Sequence, residues 1–162
     1  MKRVGKLAMT LQGDCDIVVE RSFDAPRELV FECHSKAELV MRWLWGPDEW
    51  RMALCEIDFR VGGLYRYVWR SETRGDIGMG GVYREIEAPA LIVTTELFDD
   101  DWTEGEALNA IEFIAEGDRT LVRTTVTYSS ERAREGALKT GMLDGWEQGY
   151  AHLEELFEAL KQ

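Results

Sequence analysis

Aromatic side chains recur in this chain at spacings that place them on shared faces. Tyr65, Tyr67 and Trp69 stand two apart, which is the repeat of one strand face. Met142, Trp146 and Tyr150 stand four apart, as on one side of a helix. Trp43 and Trp45 sit near a Gly-Pro pair, and Trp102 lies in an acidic loop. Rings of this kind offer large apolar area with a polar tip, which suits an amphipathic small molecule. The same residues would also serve as an ordinary packed core. The glycines favour a cavity for the group taken together. Gly141, Gly145 and Gly149 fall four apart beside Trp146 and Tyr150, removing volume where a tight core needs it. Each costs about 1 kcal/mol relative to Ala inside a helix, so either a backbone approaches there or space is left empty.

The candidate acid–base groups are Glu96, with Thr94 on its strand face, and Tyr83. Turned inward, Glu96 would have a raised pKa and could give or take a proton. The expected orientation is outward, as an ordinary surface carboxylate. Arg66 could reach such a carboxylate from a neighbouring strand, a pairing that is not readable from the sequence. His34 and His152 are the only histidines. His152 falls roughly 200° from Tyr150 around a helix, toward solvent. His34, at the join of two short helices, is expected to be satisfied or exposed. No metal spacing, phosphate-cradling loop, dinucleotide fingerprint or nucleophile elbow is present, and no cofactor is implied.

The elements that must position these residues follow from pattern. Residues 1–15 lack a period and read as a mobile arm or an added edge strand. Residues 16–23 read as a strand. Asp24 is a plausible cap for a helix with Pro26 in its first turn, and Ser35 for a second over 36–43, with Trp43 inward. Strands are expected over 52–59, 64–70, 79–87, 91–98, 107–115 and 120–128, with 75–78 as a connection. Short turns make neighbouring strands antiparallel. Apolar residues from Leu138 to Leu160 then recur at steps of three and four, predicting one helix of about thirty residues, roughly 45 Å long, capped by Ser130. The fold class is α+β: a curved antiparallel sheet of about six or seven strands around a long C-terminal helix. A strongly twisted sheet meets such a helix over part of its length and can enclose a cavity elsewhere.

The 162 residues suit one domain over 16–162 with a full-sized core. With 31 acidic against 19 basic residues the net charge is −12, which disfavours nucleic acid and anionic membranes as partners. Cys15, Cys33 and Cys55 match no disulfide or metal pattern and read as reduced thiols, hence a cytoplasmic setting. No apolar run spans a bilayer and no signal peptide is evident. Edge strands leave a homodimer open.

Several stretches together resemble the SRPBCC superfamily of START-like, helix-grip domains, and within it the homologues of the heat-shock-protein-90 ATPase activator. They are Phe23-Asp24-Ala25-Pro26 with Val30-Phe31, the segment from Glu38 through Trp43 with Gly46-Pro47, and Asp58-Phe59-Arg60-Val61-Gly62-Gly63. Gly81-Val82-Tyr83-Arg84-Glu85-Ile86 follows, with Pro89 and Leu91, then Thr120-Leu121-Val122, then Gly141-Met142 with Gly145-Trp146. The resemblance implies a helix-grip fold around a cavity for apolar small molecules. Relatives include cyclases, lipid carriers and hormone receptors, and some bind a partner protein. Trp43-Leu44-Trp45-Gly46-Pro47 is one residue longer than the usual pattern, and Ala90 replaces a frequent Arg. The reading is binding of a small hydrophobic or amphipathic ligand by Tyr65, Tyr67, Trp69, Met142, Trp146, Tyr150, Trp43, Trp45 and Trp102. The rivals are a cyclase- or hydrolase-type enzyme using Glu96 or Tyr83, and a chaperone-interacting module.

Overall fold

The computed structural model describes residues 6–45, 49–101 and 104–161. Among the described residues eight antiparallel strands form one sheet in the order β1-β2-β8-β7-β6-β5-β4-β3. Strands β1 (Ala8–Gln12) and β2 (Asp16–Phe23) precede two short helices, α1 (Arg27–Ser35) and α2 (Ala37–Val40). Strands β3 (Trp50–Ile57), β4 (Leu64–Ser71), β5 (Gly75–Glu87), β6 (Leu91–Phe98), β7 (Ala107–Glu116) and β8 (Arg119–Thr127) follow as a meander. Helices α3 (Glu131–Leu138) and α4 (Met142–Leu160) end the chain. Seven of these match the periodic stretches of the sequence, and the eighth falls in residues 1–15, where an added edge strand is one of the two readings. It is β1, an edge strand with every residue exposed, paired with β2 from Ala8 opposite Glu20 to Gln12 opposite Asp16.

Strand boundaries shift at β5. The sequence places residues 75–78 in a connection, yet the ladder with β4 already begins at Ser71 opposite Gly75. Glycines are needed there for close approach. A Cβ on Gly78 would fall on the Asp99 carboxylate and Arg66, and one on Gly81 on the Thr95 carbonyl. Arg66 and Asp99 meet across this strip in a two-bond pair at 2.7 and 2.5 Å, so Arg66 is committed to Asp99 rather than to Glu96. Register shifts in β3 after Met52 and in β5 after Tyr83 add local curvature.

The helix caps differ from expectation at α1 and α2. Pro26 and Lys36 occupy the cap positions without a side-chain bond, in place of Asp24 and Ser35. Ser130 caps α3 as expected, its hydroxyl accepting the Ala133 N–H at 3.0 Å.

The single thirty-residue helix is not formed. It breaks between Leu138 and Met142. Thr140 turns its hydroxyl back to the Ala137 carbonyl at 2.6 Å, and Gly141 takes a left-handed φ of 79°. A residue with a Cβ resists that conformation, so the first glycine of the series sets the corner. Nothing lies within 4 Å of a Cβ added at Gly141, so the penalty of substitution is conformational alone. Gly141→Ala is expected to lower the unfolding free energy by about 1 kcal/mol, the penalty of a Cβ in the left-handed region. A urea titration showing no loss would mean that the corner does not depend on glycine.

Helix α4 has 19 residues, about 28 Å. Its C-terminal half is sealed to the sheet through Leu153 and Phe157, which are fully buried with Phe23 and Val122. Leu160, counted on the apolar face, is instead exposed. Toward the N-terminal end Met142, Gly145 and Trp146 are only partly buried. Sheet and helix therefore meet closely at one end and part at the other.

Candidate functional site

Where they part lies a cavity of about 590 Å³. Strand β4 alternates as its sequence predicts, and Tyr65, Tyr67 and Trp69 all face this space. Helix α4 contributes Met142, Trp146 and Tyr150, and the connection after α2 contributes Trp43 and Trp45. Ring centroids run 5.0 Å from Tyr65 to Tyr67, 5.8 Å from Tyr67 to Trp69 and 6.4 Å from Trp146 to Tyr150. Trp102 lies outside the described residues.

The polar tips of three rings are committed to backbone carbonyls. Tyr65 donates its hydroxyl to Thr95 at 2.6 Å, Trp69 its indole N–H to Leu44 at 2.7 Å, and Trp43 its indole N–H to Cys33 at 2.8 Å. These bonds fix the rings and leave their apolar parts toward the cavity. Burial raises the pKa of Tyr65, Tyr67, Tyr83 and Tyr150, with Glu96 adding at Tyr65, so the phenols are neutral at physiological pH.

The three helix glycines have three separate roles. Gly141 makes the corner. Gly145 has nothing within 4 Å of an added Cβ, and it borders the cavity. At Gly149 the Trp43 and Trp45 carbonyls would lie 3.6 and 3.7 Å from an added Cβ. There the helix backs onto the tryptophan-bearing connection, and side chains beyond Ala would push it away.

Glu96 corrects the sequence expectation. It faces inward with Ile92, Thr94 and Phe98, and all four line the cavity. Burial raises its pKa, and the Asn109 side-chain N–H, 3.1 Å from Oε2, opposes that rise. Tyr83 also faces the cavity, with its pKa raised chiefly by burial, which works against a role as base.

Of the two histidines, His34 is satisfied as the sequence suggests, and His152 differs from expectation. His152 does not face open solvent. It stacks on Trp45 with ring centroids 3.6 Å apart, and its side chain is 19% exposed. His34 lines the cavity, pinned by Nδ1 to the Val30 carbonyl at 2.8 Å and tilted against Trp43 at 4.8 Å. Burial lowers its pKa to about 4, so the ring is neutral near pH 7.

Sequence reasoning missed Asn109, Thr124, Tyr128 and Trp50 as wall residues. The signal for Asn109 was present: it shares strand parity with Ile111 and Phe113, which are apolar and inward. Cys33 and Cys55 are free thiols with pKa values raised to about 11, chiefly by burial, which leaves them poor nucleophiles. Among the described residues no cluster of His, Cys, Asp and Glu could hold a metal ion. No described helix is long and apolar enough to cross a membrane.

A curved antiparallel sheet that grips a C-terminal helix around an aromatic cavity defines the helix-grip class. The family model described as "Activator of Hsp90 ATPase homolog 1-like protein" matches residues 24–158, and the chain belongs to that family. Among solved structures it is similar to a Rhodobacter sphaeroides protein at 24% identity and TM-score 0.89, covering 95% of this chain and 99% of that one. A Nitrosomonas europaea protein matches at 21% identity and TM-score 0.82, covering 93% and 99%. An AHSA1-like protein from Aeromonas hydrophila matches at 17% identity and TM-score 0.69, covering 87% and 93%. At these identities the likeness is one of fold. Among curated proteins nothing matches.

Proposed function

We propose that this protein binds a small molecule, apolar over most of its surface and polar at one end, in the cavity between the sheet and α4. The observation that carries the reading is the cavity itself: about 590 Å³ walled largely by aromatic rings, three of which, Tyr65, Trp69 and Trp43, have their polar tips bonded to backbone. That volume falls within the usual range of small-molecule sites, about 300–1,000 Å³. The polar end would meet Glu96, Asn109 and Thr94, which the strands β6 and β7 bring together.

Native mass spectrometry of freshly purified protein tests occupancy and chemical class directly. A neutral apolar dye, Nile red, tests capacity. Saturable 1:1 fluorescence enhancement is expected with the native chain. Gly145→Phe puts a ring into the open space and is expected to weaken the dye at least tenfold while the far-UV spectrum stays unchanged. Absence of dye binding by the native chain, together with no co-purified mass, would end this reading.

The chaperone-partner reading keeps support from the family and from Val61 and Leu64, which are 59% and 65% exposed at the turn between β3 and β4. Retention of a purified chaperone of the heat-shock-protein-90 type at moderate salt, lost in Val61→Ser/Leu64→Ser, would favour it. The cyclase or hydrolase reading rests on the inward Glu96. A pH–rate profile that collapses in Glu96→Gln would favour that one.

A further inference from the structure

We infer that the preferred occupant of the cavity is an organic cation: a protonated amine carried on an apolar, ring-sized body. The inference rests on the cavity reading above and names its ligand class. Among the described residues lining the space, Glu96 is the sole acid, and no Lys or Arg joins it. Asn109 occupies one carboxyl oxygen, and no hydrogen bond from a described residue reaches the other, Oε1. The carboxylate has hydrogen-bonding capacity left over and no cation of its own.

The walls agree with this charge preference. Tyr65, Trp43 and Trp69 give their donors to backbone carbonyls, so an anionic ligand would not find them free. What they keep is ring surface, whose negative face attracts a cation. Among the described lining residues His34 is the one basic group, and it is neutral near pH 7 with Nδ1 held by Val30. An ammonium group beside Glu96 replaces the lost hydration of the carboxylate with a direct charge-assisted bond, where a neutral hydroxyl offers a weaker one. The overall charge of −12 raises the local concentration of cations and repels anions.

The test is calorimetry at pH 7.5 with three ligands that share one ring body: 2-(1-naphthyl)ethylamine, 2-(1-naphthyl)ethanol and 1-naphthylacetate. The amine is expected to bind at least tenfold more tightly than the alcohol, and the acid more weakly than both. Glu96→Gln is expected to bring the amine down to the alcohol's affinity. Glu158→Gln, an exposed change of equal charge, is expected to keep the amine's advantage, which separates Glu96 from the general field. Alcohol binding equal to or tighter than amine binding would overturn the inference and leave the cavity reading standing. So would an amine advantage that survives Glu96→Gln, or Nile red binding without any of the three. Failure of all three ligands and of Nile red, with no co-purified mass in the cavity, would overturn both, and a co-purified mass that is a neutral or acidic compound would overturn the inference alone.

Discussion

Phe23→Ala is expected to lower the unfolding free energy by about 4 kcal/mol, the largest loss from any single truncation considered. Phe23 is fully buried where β2 meets α4. Its ring meets Tyr150 edge-on at 4.9 Å and Phe157 at 5.7 Å. The Arg21 guanidinium lies 4.6 Å from the ring centroid, and Arg21 also bonds Glu154 of α4 at 2.9 Å. Truncating a buried Phe to Ala costs about 3–5 kcal/mol, because neighbours relax only partly into the space. Against a usual total of about 5–15 kcal/mol, that leaves a marginal fold. Trp146→Ala, on the side where helix and sheet part, is expected to cost less than half as much, since that ring already borders empty volume. Urea midpoints for the two variants decide the matter. Equal losses would mean that the contact between helix and sheet is uniform, and the two-zone description would fall.

His34 carries the second large effect, and it depends on pH. Its pKa is lowered from the ordinary 6.5 to about 4 in the folded chain, chiefly by burial. Between those values the unfolded chain takes up a proton that the folded chain refuses. The contribution is therefore fully present above pH 6.5 and is lost as pH falls toward 4. At about 1.4 kcal/mol per pH unit, the full loss is about 3 kcal/mol. His34→Phe suits the surrounding rings, with Trp43 at 4.8 Å and Phe113 at 5.0 Å, and it cannot titrate. The variant is expected to lose about 2–3 kcal/mol less than the native chain between pH 7 and pH 4 in urea titrations. Identical acid limbs in the two proteins would assign the acid sensitivity elsewhere.

Legibility in the sequence followed the physical signal available at each position. Strand β4 could be read because its two faces differ: Tyr65, Tyr67 and Trp69 against Arg66, Val68 and Arg70. Strand β6 could not, because both parities are largely apolar or small. Ile92, Thr94 and Phe98 go with Glu96, and Val93, Thr95 and Leu97 oppose it. Local pattern then has nothing with which to turn Glu96 in or out. The pairing with β7, Glu96 opposite Ala107 and Thr94 opposite Asn109, is a long-range fact. His152 was misplaced for a related reason: a helical wheel knows only its own helix, and the Trp45 that covers the ring arrives from a distant connection.

The glycine series shows the same division. Its spacing signalled that something unusual happens beside Trp146 and Tyr150. Only the packed chain separates a left-handed corner at Gly141, open space at Gly145 and backbone at Gly149. Taken alone, the amino-acid order determined the α+β class, the antiparallel meander, the Ser130 cap and the shared faces of Tyr65 with Tyr67 and Trp69 and of Met142 with Trp146 and Tyr150, because each depends on short-range period or on residue type. Tertiary structure alone decided the split of the last helix, the inward turn of Glu96 and the extent of the gap. Those depend on which surfaces meet across the fold and on how far two curved layers can stay in contact.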